Sequence, residues 1–227
     1  LLEEGRSLPE FRRRRALAYP VAGMVALIVL ATFCDVMRGQ RDLAAFARKR
    51  SQAQLRALGF SCDPHTGRVR CPSETAFFRA LGALSADQVE AVLLRWQAKL
   101  LGPVHDTLIA IDGKTLRHSR GQELVSAIGG QTGRWLGTVR VADKSNEIPA
   151  AQTLIDRLEL DGKLVVLDAL HTQDLTAQKL FFERGADYVM TVKANQKSLY
   201  QTLETKLQTQ AFSPSADAGD ASLPART

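Results

Sequence analysis

An α/β domain on a mixed sheet, preceded by a small all-helical basic segment, is the fold class this sequence predicts. Three observations carry that expectation. Residues 1–72 hold 13 basic and 6 acidic side chains, a net +7, whereas residues 73–227 hold 17 and 18, a net −1. Helical spacing of apolar residues dominates up to Gly102-Pro103. Beyond that point β-rich runs take over, three in succession and then alternating with helical stretches, an order that favours parallel strands in its second half. The element order is β-β-β-α-β-α-β-α. Hydrophobic residues at 45% and charged residues at 24% of 227 are the balance of a folded globular chain. Cys34, Cys62 and Cys71 are odd in number and scattered, which argues against a secreted disulfide framework.

The four arginines Arg12–Arg15 precede 19 consecutive uncharged residues, 16–34. A membrane anchor with its arginines on the cytoplasmic side is one reading of that stretch. Tyr19 and Pro20 interrupt its start, however, and the strongly apolar part, Val21–Phe33, is 13 residues long. That is the length of a buried helix, and Pro20 suits a first helical turn, where its missing N–H costs nothing. Phe33 before Cys34 and Asp35 fits a signal-peptide cleavage site poorly. The expectation is therefore a buried helix and no membrane partner.

Arg41–Arg50 sets Leu43, Phe46 and Ala47 at helical spacing, with basic residues turned outward. Residues 59–72 carry Gly, Pro and Asp without a period and form a loop. Helices follow over Ser73–Leu81 and Ser85–Leu101, the second opened by a Ser85–Gln88 capping-box pattern. Asymmetric positive charge on such helices suits a polyanion, and a solvated helix face is its structural alternative. The predicted strands are Thr107–Asp112, Glu123–Ile128, Trp135–Val141, Leu164–Leu167 and Tyr188–Val192. Helices are expected over Ile148–Leu158, Leu175–Arg184 and Gln196–Leu207. The tail from Ser213 is small, polar and patternless, the composition of a disordered segment. The domain scheme is thus 1–102 helical and basic, 103–210 α/β, and 211–227 disordered.

Asp112 closes the first strand in Ile109-Ala110-Ile111-Asp112, and Asp168 closes the fourth in Val165-Val166-Leu167-Asp168. An ionised carboxylate after a β-branched run costs desolvation energy unless a cation or donors satisfy it. If the two strands are neighbours, the pair converges at the carboxyl edge of the sheet, where α/β sheets bind ligands. Hard oxygen ligands there suit divalent-metal phosphoryl transfer. The alternative is that each aspartate merely caps a turn. Glu147, at the start of the crossover helix, suits the helix dipole or a metal. His171, three residues after Asp168, suits a capping or surface position better than a ligand. Cys62, His65 and Cys71 lack both a fourth ligand and a zinc-site spacing. The Gly129–Gly133 cluster has neither the phosphate-loop lysine nor the dinucleotide fingerprint, and forms a hairpin turn.

The segments IAIDGKTLRHS, ELVSAIGG, VADKSNEIPAAQTLIDRLEL, VVLDALHTQ and GADYVMTVKANQ resemble bacterial insertion-sequence transposases of the ISAs-type or H-repeat-associated group. The block from Leu8 through CPSETAFFRAL resembles that family's helical associated domain, so the likeness runs from about Leu8 to Leu207. It implies a ribonuclease H-like catalytic fold and an Asp-Asp-Glu triad that binds Mg²⁺ or Mn²⁺ to cut and rejoin DNA. By motif position Asp112 is the first acid and Asp168 the second, both catalytic and metal-binding. The family's glutamate lies in a Gly-Arg-Ile-Glu-like context that these 227 residues do not contain; Glu204, in LETKL, does not match it. The resemblance therefore implies an incomplete copy without the third acid, with a non-catalytic DNA-binding remnant as the alternative. Lys114, Arg117, Lys144, Lys193, Asn195 and Lys197 are the expected contacts to nucleic acid. Implied partners are transposon ends and target DNA, with a homo-oligomer assembled on them, in a bacterial cytoplasm at the nucleoid.

Overall fold

In a computed structural model the described residues are 1–11, 18–35, 39–116, 121–142, 147–194 and 196–208, with side chains described to 206. The arginine run Arg12–Arg15 and the expected disordered tail from residue 211 lie outside them. Two compact units result: Leu1–Asp106 with Thr132–Thr138, and Thr107–Gln131 with the chain from Val139 onward.

The first unit is helical: α1 (Leu2–Gly5), α2 (Val21–Phe33), α3 (Gln40–Arg48), α4 (Gln52–Ala57), α5 (Glu74–Ala83) and α6 (Ala86–Leu101). Apolar residues surround α2 on every side, and most of it is buried, with Met24, Val25, Ala26, Leu27 and Ala31 inside. Thirteen residues at 1.5 Å each give a rod of about 20 Å, short of the roughly 30 Å hydrocarbon layer. No helix among the described residues is long and apolar enough to cross a membrane. Pro20 stands at the N-cap of α2 rather than inside its first turn. Around α2 pack Leu43, Ala44, Phe46 and Ala47 of α3, Leu55 of α4, and Phe77 and Ala80 of α5. Burial at that spacing leaves Arg41, Arg48 and Lys49 exposed, the basic outer face expected of α3. Val92 of α6 closes a second cluster with Leu8, Val21 and Val25.

The second unit carries β1 (Leu108–Leu116), β2 (Gln122–Gly129), α7 (Glu147–Arg157), β4 (Leu164–Leu167), α8 (Asp174–Gln178), β5 (Asp187–Met190) and α9 (Lys197–Gln208). With β3 (Trp135–Arg140), the strands form one sheet in the order β3-β2-β1-β4-β5. β1 runs antiparallel to β2 and parallel to β4, and β4 runs parallel to β5. This is the mixed five-stranded α/β sheet expected from the element order. Its centre is dry because Ile109, Ile111, Val165 and Leu167 are buried in the parallel pair. α7 covers β2 with one apolar stripe, Ala150, Ala151, Leu154 and Ile155. The expected helix over Leu175–Arg184 is broken into α8 and a π-helical turn, Lys179–Glu183.

Candidate active site at the carboxyl edge of the sheet

β1 does not stop at Asp112. Its antiparallel pairing with β2 continues through Leu116, opposite Gln122, while its parallel pairing with β4 stops at Ile111, opposite Leu167. Asp112 and Asp168 are therefore the next residues on two neighbouring parallel strands. Adjacent strands run about 4.8 Å apart, and residues in register share a face of the sheet. Both aspartates are exposed, whereas Ile111 and Leu167 before them are buried. The turn-cap alternative is not what Asp112 does, since it lies within a strand. Asp168 does precede a tight 3-10 turn, Ala169–His171, but its side chain makes no helix-cap hydrogen bond.

Two groups hold Asp168 below the usual carboxylate range: the backbone N–H of Ala169 first, then the Lys193 ammonium. Lys193 Nζ donates to both carboxylate oxygens, at 3.0 and 3.4 Å. Lys114 follows Asp112 by two residues along β1 and is exposed on the same face. Lys197 is exposed at the start of α9. Arg117, Lys144 and Asn195 lie outside the described residues. Gln196 has a structural task, its side-chain amide donating to the carbonyl of Thr172.

Two further groups border the pair. Glu147, the first residue of α7, is pushed up as an acid by burial, then by the negative charges of Glu123, Asp112 and Asp168. His171 is not the capping or surface residue expected from its sequence: its side chain is 1% exposed. Burial lowers its pKa, against the opposing pull of Asp112 and Asp168. A buried histidine in Ala169-Leu170-His171-Thr172 leaves no local signal, because the turn that tucks it inward is a single 3-10 turn. Among the described residues no three or more His, Cys, Asp or Glu are gathered closely enough to form a ready metal cage.

The chain matches the family described as "Transposase DDE domain" over residues 104–222. It is 32% identical over 212 residues to "Putative transposase YncI" of Escherichia coli K12, covering 90% of this chain and 82% of that protein. It is 28% identical over 213 residues to the protein of the same name from Escherichia coli O157:H7, covering 91% of this chain and 52% of the relative. It is also 28% identical over 216 residues to "H repeat-associated putative transposase YhhI" of strain K12, covering 91% and 54%. Against these last two, the chain spans about half the length of the curated relative it matches.

Proposed function

The chain belongs to the DDE transposase family, whose domain model matches more than half of its residues, and from that premise we propose that it is an insertion-sequence transposase with Asp112 and Asp168 as its catalytic acid pair. One observation carries this reading: the two aspartates follow the last register pair, Ile111 and Leu167, of adjacent parallel strands. Side-by-side, exposed carboxylates are hard oxygen donors of the type Mg²⁺ or Mn²⁺ takes, so the residues present fit a divalent cation held by Asp112 and Asp168. Such an ion supplies electrophilic stabilisation of phosphoryl oxygens during phosphodiester cleavage and strand transfer. The sheet fixes the two carboxylates before any substrate arrives, which removes the entropic cost of gathering them. Lys114, Lys193 and Lys197 serve as contacts to DNA phosphates around this edge, and Arg117, Lys144 and Asn195, outside the described residues, are the further contacts to nucleic acid. Residues 1–102 act as the basic helical arm that holds transposon ends, residues 103–210 as the catalytic domain, and the protein assembles as a homo-oligomer on nucleoid DNA in the bacterial cytoplasm.

The Lys193 ammonium on Asp168 favours a second reading, a DNA-binding remnant in which a side-chain cation occupies one acid and no cleavage follows. One set of measurements separates the two. Calorimetric Mn²⁺ binding by the full chain is lost in Asp112→Asn and Asp168→Asn if the pair holds the ion; undiminished binding in both variants overturns the assignment. Mg²⁺-dependent nicking of a plasmid carrying the element's ends, absent in both variants, supports the transposase; DNA binding without nicking supports the remnant.

A further inference from the structure

The sheet ends in β5, and no strand among the described residues pairs with its outer side. The N–H of Asp187 donates to the Lys163 carbonyl and that of Thr191 to the Leu167 carbonyl, both on the β4 side. Alternation along the strand therefore turns the N–H and C=O groups of Tyr188 and Met190 to the open side. Such an edge is normally blunted by lysine, proline, a bulge or a covering element. Asp187-Tyr188-Val189-Met190 holds neither lysine nor proline, and its first three residues are exposed. The apolar surface continues on the helical layer that packs against β5. There Lys179 is tied to Asp156 of α7 and Leu180 is buried beneath, which leaves Phe181 on the side away from α7, over the open edge. Phe182 stands edge-to-face against it, with ring centroids 5.0 Å apart, and is 77% exposed.

Outward backbone donors and acceptors require a strand as their partner, and the charge on β5 selects which one. Asp187 is the only charged residue of the strand and stands at its first position. A parallel, in-register copy would set Asp187 against Asp187, a destabilising like-charge pair. An antiparallel copy related by a two-fold axis at Val189 sets Asp187 opposite Thr191 instead, toward the end of the chain segment that carries Lys193. The same register matches Tyr188 with Met190 of the other copy, and each such pair exchanges two hydrogen bonds. Val189 then meets Val189 at the close, non-hydrogen-bonded position. A four-residue strand alone falls short of the roughly 1,200 Å² that a specific interface buries, and the exposed Phe181 and Phe182 of both copies supply the further apolar contact.

We propose that the open edge of β5 binds a second copy of this chain, antiparallel about Val189, so that one sheet runs through both copies with Phe181 and Phe182 closing over the joint. This inference adds an interface to the homo-oligomer proposed above and places it in the protein without DNA. It uses neither Asp112 nor Asp168, so it stands or falls apart from their assignment.

The test is sedimentation velocity of the full chain without DNA, from about 1 to 100 μM, where an interface at the small end of the size range is expected to give a reversible dimer. Met190→Pro removes an outward N–H and no bond to β4, a place where an edge strand tolerates proline. Val189→Lys sets two ammonium groups together at the axis. Each should weaken dimerisation by about ten-fold or more while the far-UV circular dichroism of the chain stays unchanged. In Val189→Cys, mild oxidation should join two copies, because Cα atoms at the close position lie about 4.5 Å apart, within disulfide reach. The parent chain, with Cys34, Cys62 and Cys71, is the control for cross-links of other origin. A parent that sediments as a monomer throughout overturns the proposal, as does a dimer that folded Met190→Pro and Val189→Lys both leave intact. Cross-linking of Tyr188→Cys in place of Val189→Cys overturns the register. Mn²⁺ affinity unchanged in Asp168→Asn, in a chain that still dimerises, removes the reading of the aspartate pair and leaves this one standing.

Discussion

Lys193 Nζ lies 3.0 Å from one oxygen of Asp168 and 3.4 Å from the other, which makes the lysine a competitor for anything cationic that the aspartate binds. Both side chains are more than half exposed, so solvent screens the pair and its worth is about 0–1 kcal/mol. Lys193→Met is accordingly expected to tighten Mn²⁺ binding, by about five-fold at most. The same change should weaken DNA binding almost equally for all sequences, as loss of a phosphate contact does. Titrations in which Mn²⁺ affinity falls would show that Lys193 supports the site rather than competing for it.

Glu4 of α1 is tied to α6 by Arg95 Nε at 3.0 Å and Lys99 Nζ at 2.6 Å. The hydrogen bond from Lys99, then that from Arg95, lowers its pKa from 4.5. A depressed folded value means that the stabilisation is complete above the unfolded pKa and is lost as pH falls through the lower folded one. Thermal melts of the parent and Glu4→Gln should therefore differ at pH 7 and converge below pH 4.5. A gap that stays constant down to pH 3 would mean that the link owes nothing to the charge on Glu4.

Gly23 and Gly82 are both helical glycines, and replacing each by alanine should have opposite signs. A β-carbon at 23 would run into the carbonyl oxygen of Leu58 and come within 2.8 Å of Phe60 Cε1. Backbone cannot swing aside, so overpacking of about 1–3 kcal/mol outweighs the helix-propensity gain of up to about 1 kcal/mol. At Gly82, in the last turn of α5, nothing lies within 4 Å, and only the propensity gain applies. Urea midpoints should fall for Gly23→Ala and hold or rise for Gly82→Ala. The reverse order would refute the close approach of α2 to Leu58.

What was legible in the sequence was local. The runs before Asp112 and Asp168 announce buried strands because β-branched residues suit a pleated surface, and the aspartates mark where burial ends. Three elements show where that legibility stops. α1 and α4, at four and six residues, are too short to display a period, although Ser51 and Gln54 of α4 do form a reciprocal capping box that the spacing Ser-x-x-Gln could have revealed. The same spacing at Ser85 and Gln88 predicted a box, yet Ser85 makes no side-chain cap bond. β1 passes through Gly113 and Lys114, residues that look like a turn, because eight register pairs with β2 hold it extended. Glu147 comes to β1 through tertiary packing, 35 residues along the chain from Asp112, and no spacing rule links the two; His171 is only three residues from Asp168, but the 3-10 turn that buries it has no sequence signature.

Arg48, Lys49 and Arg56 stand exposed on and beside α3 and α4, in the part of the chain that holds the excess positive charge. If that surface meets DNA phosphates, each contact releases counterions, and log affinity falls with log salt by about 0.9 per phosphate neutralised. Replacing all three by Gln should leave the fold intact, because all three residues are exposed and the buried cluster is built from Leu43, Phe46, Leu55 and their apolar neighbours. Affinity for duplex DNA at low salt should drop, and the log–log slope should become shallower by up to about 2.7. The decisive quantity is the slope. A uniform loss of affinity with an unchanged slope would point to damage elsewhere in the protein, whereas a shallower slope counts the contacts removed. Fluorescence anisotropy from 50 to 300 mM salt, on a duplex of arbitrary sequence, is sufficient because phosphate contacts read charge and not bases.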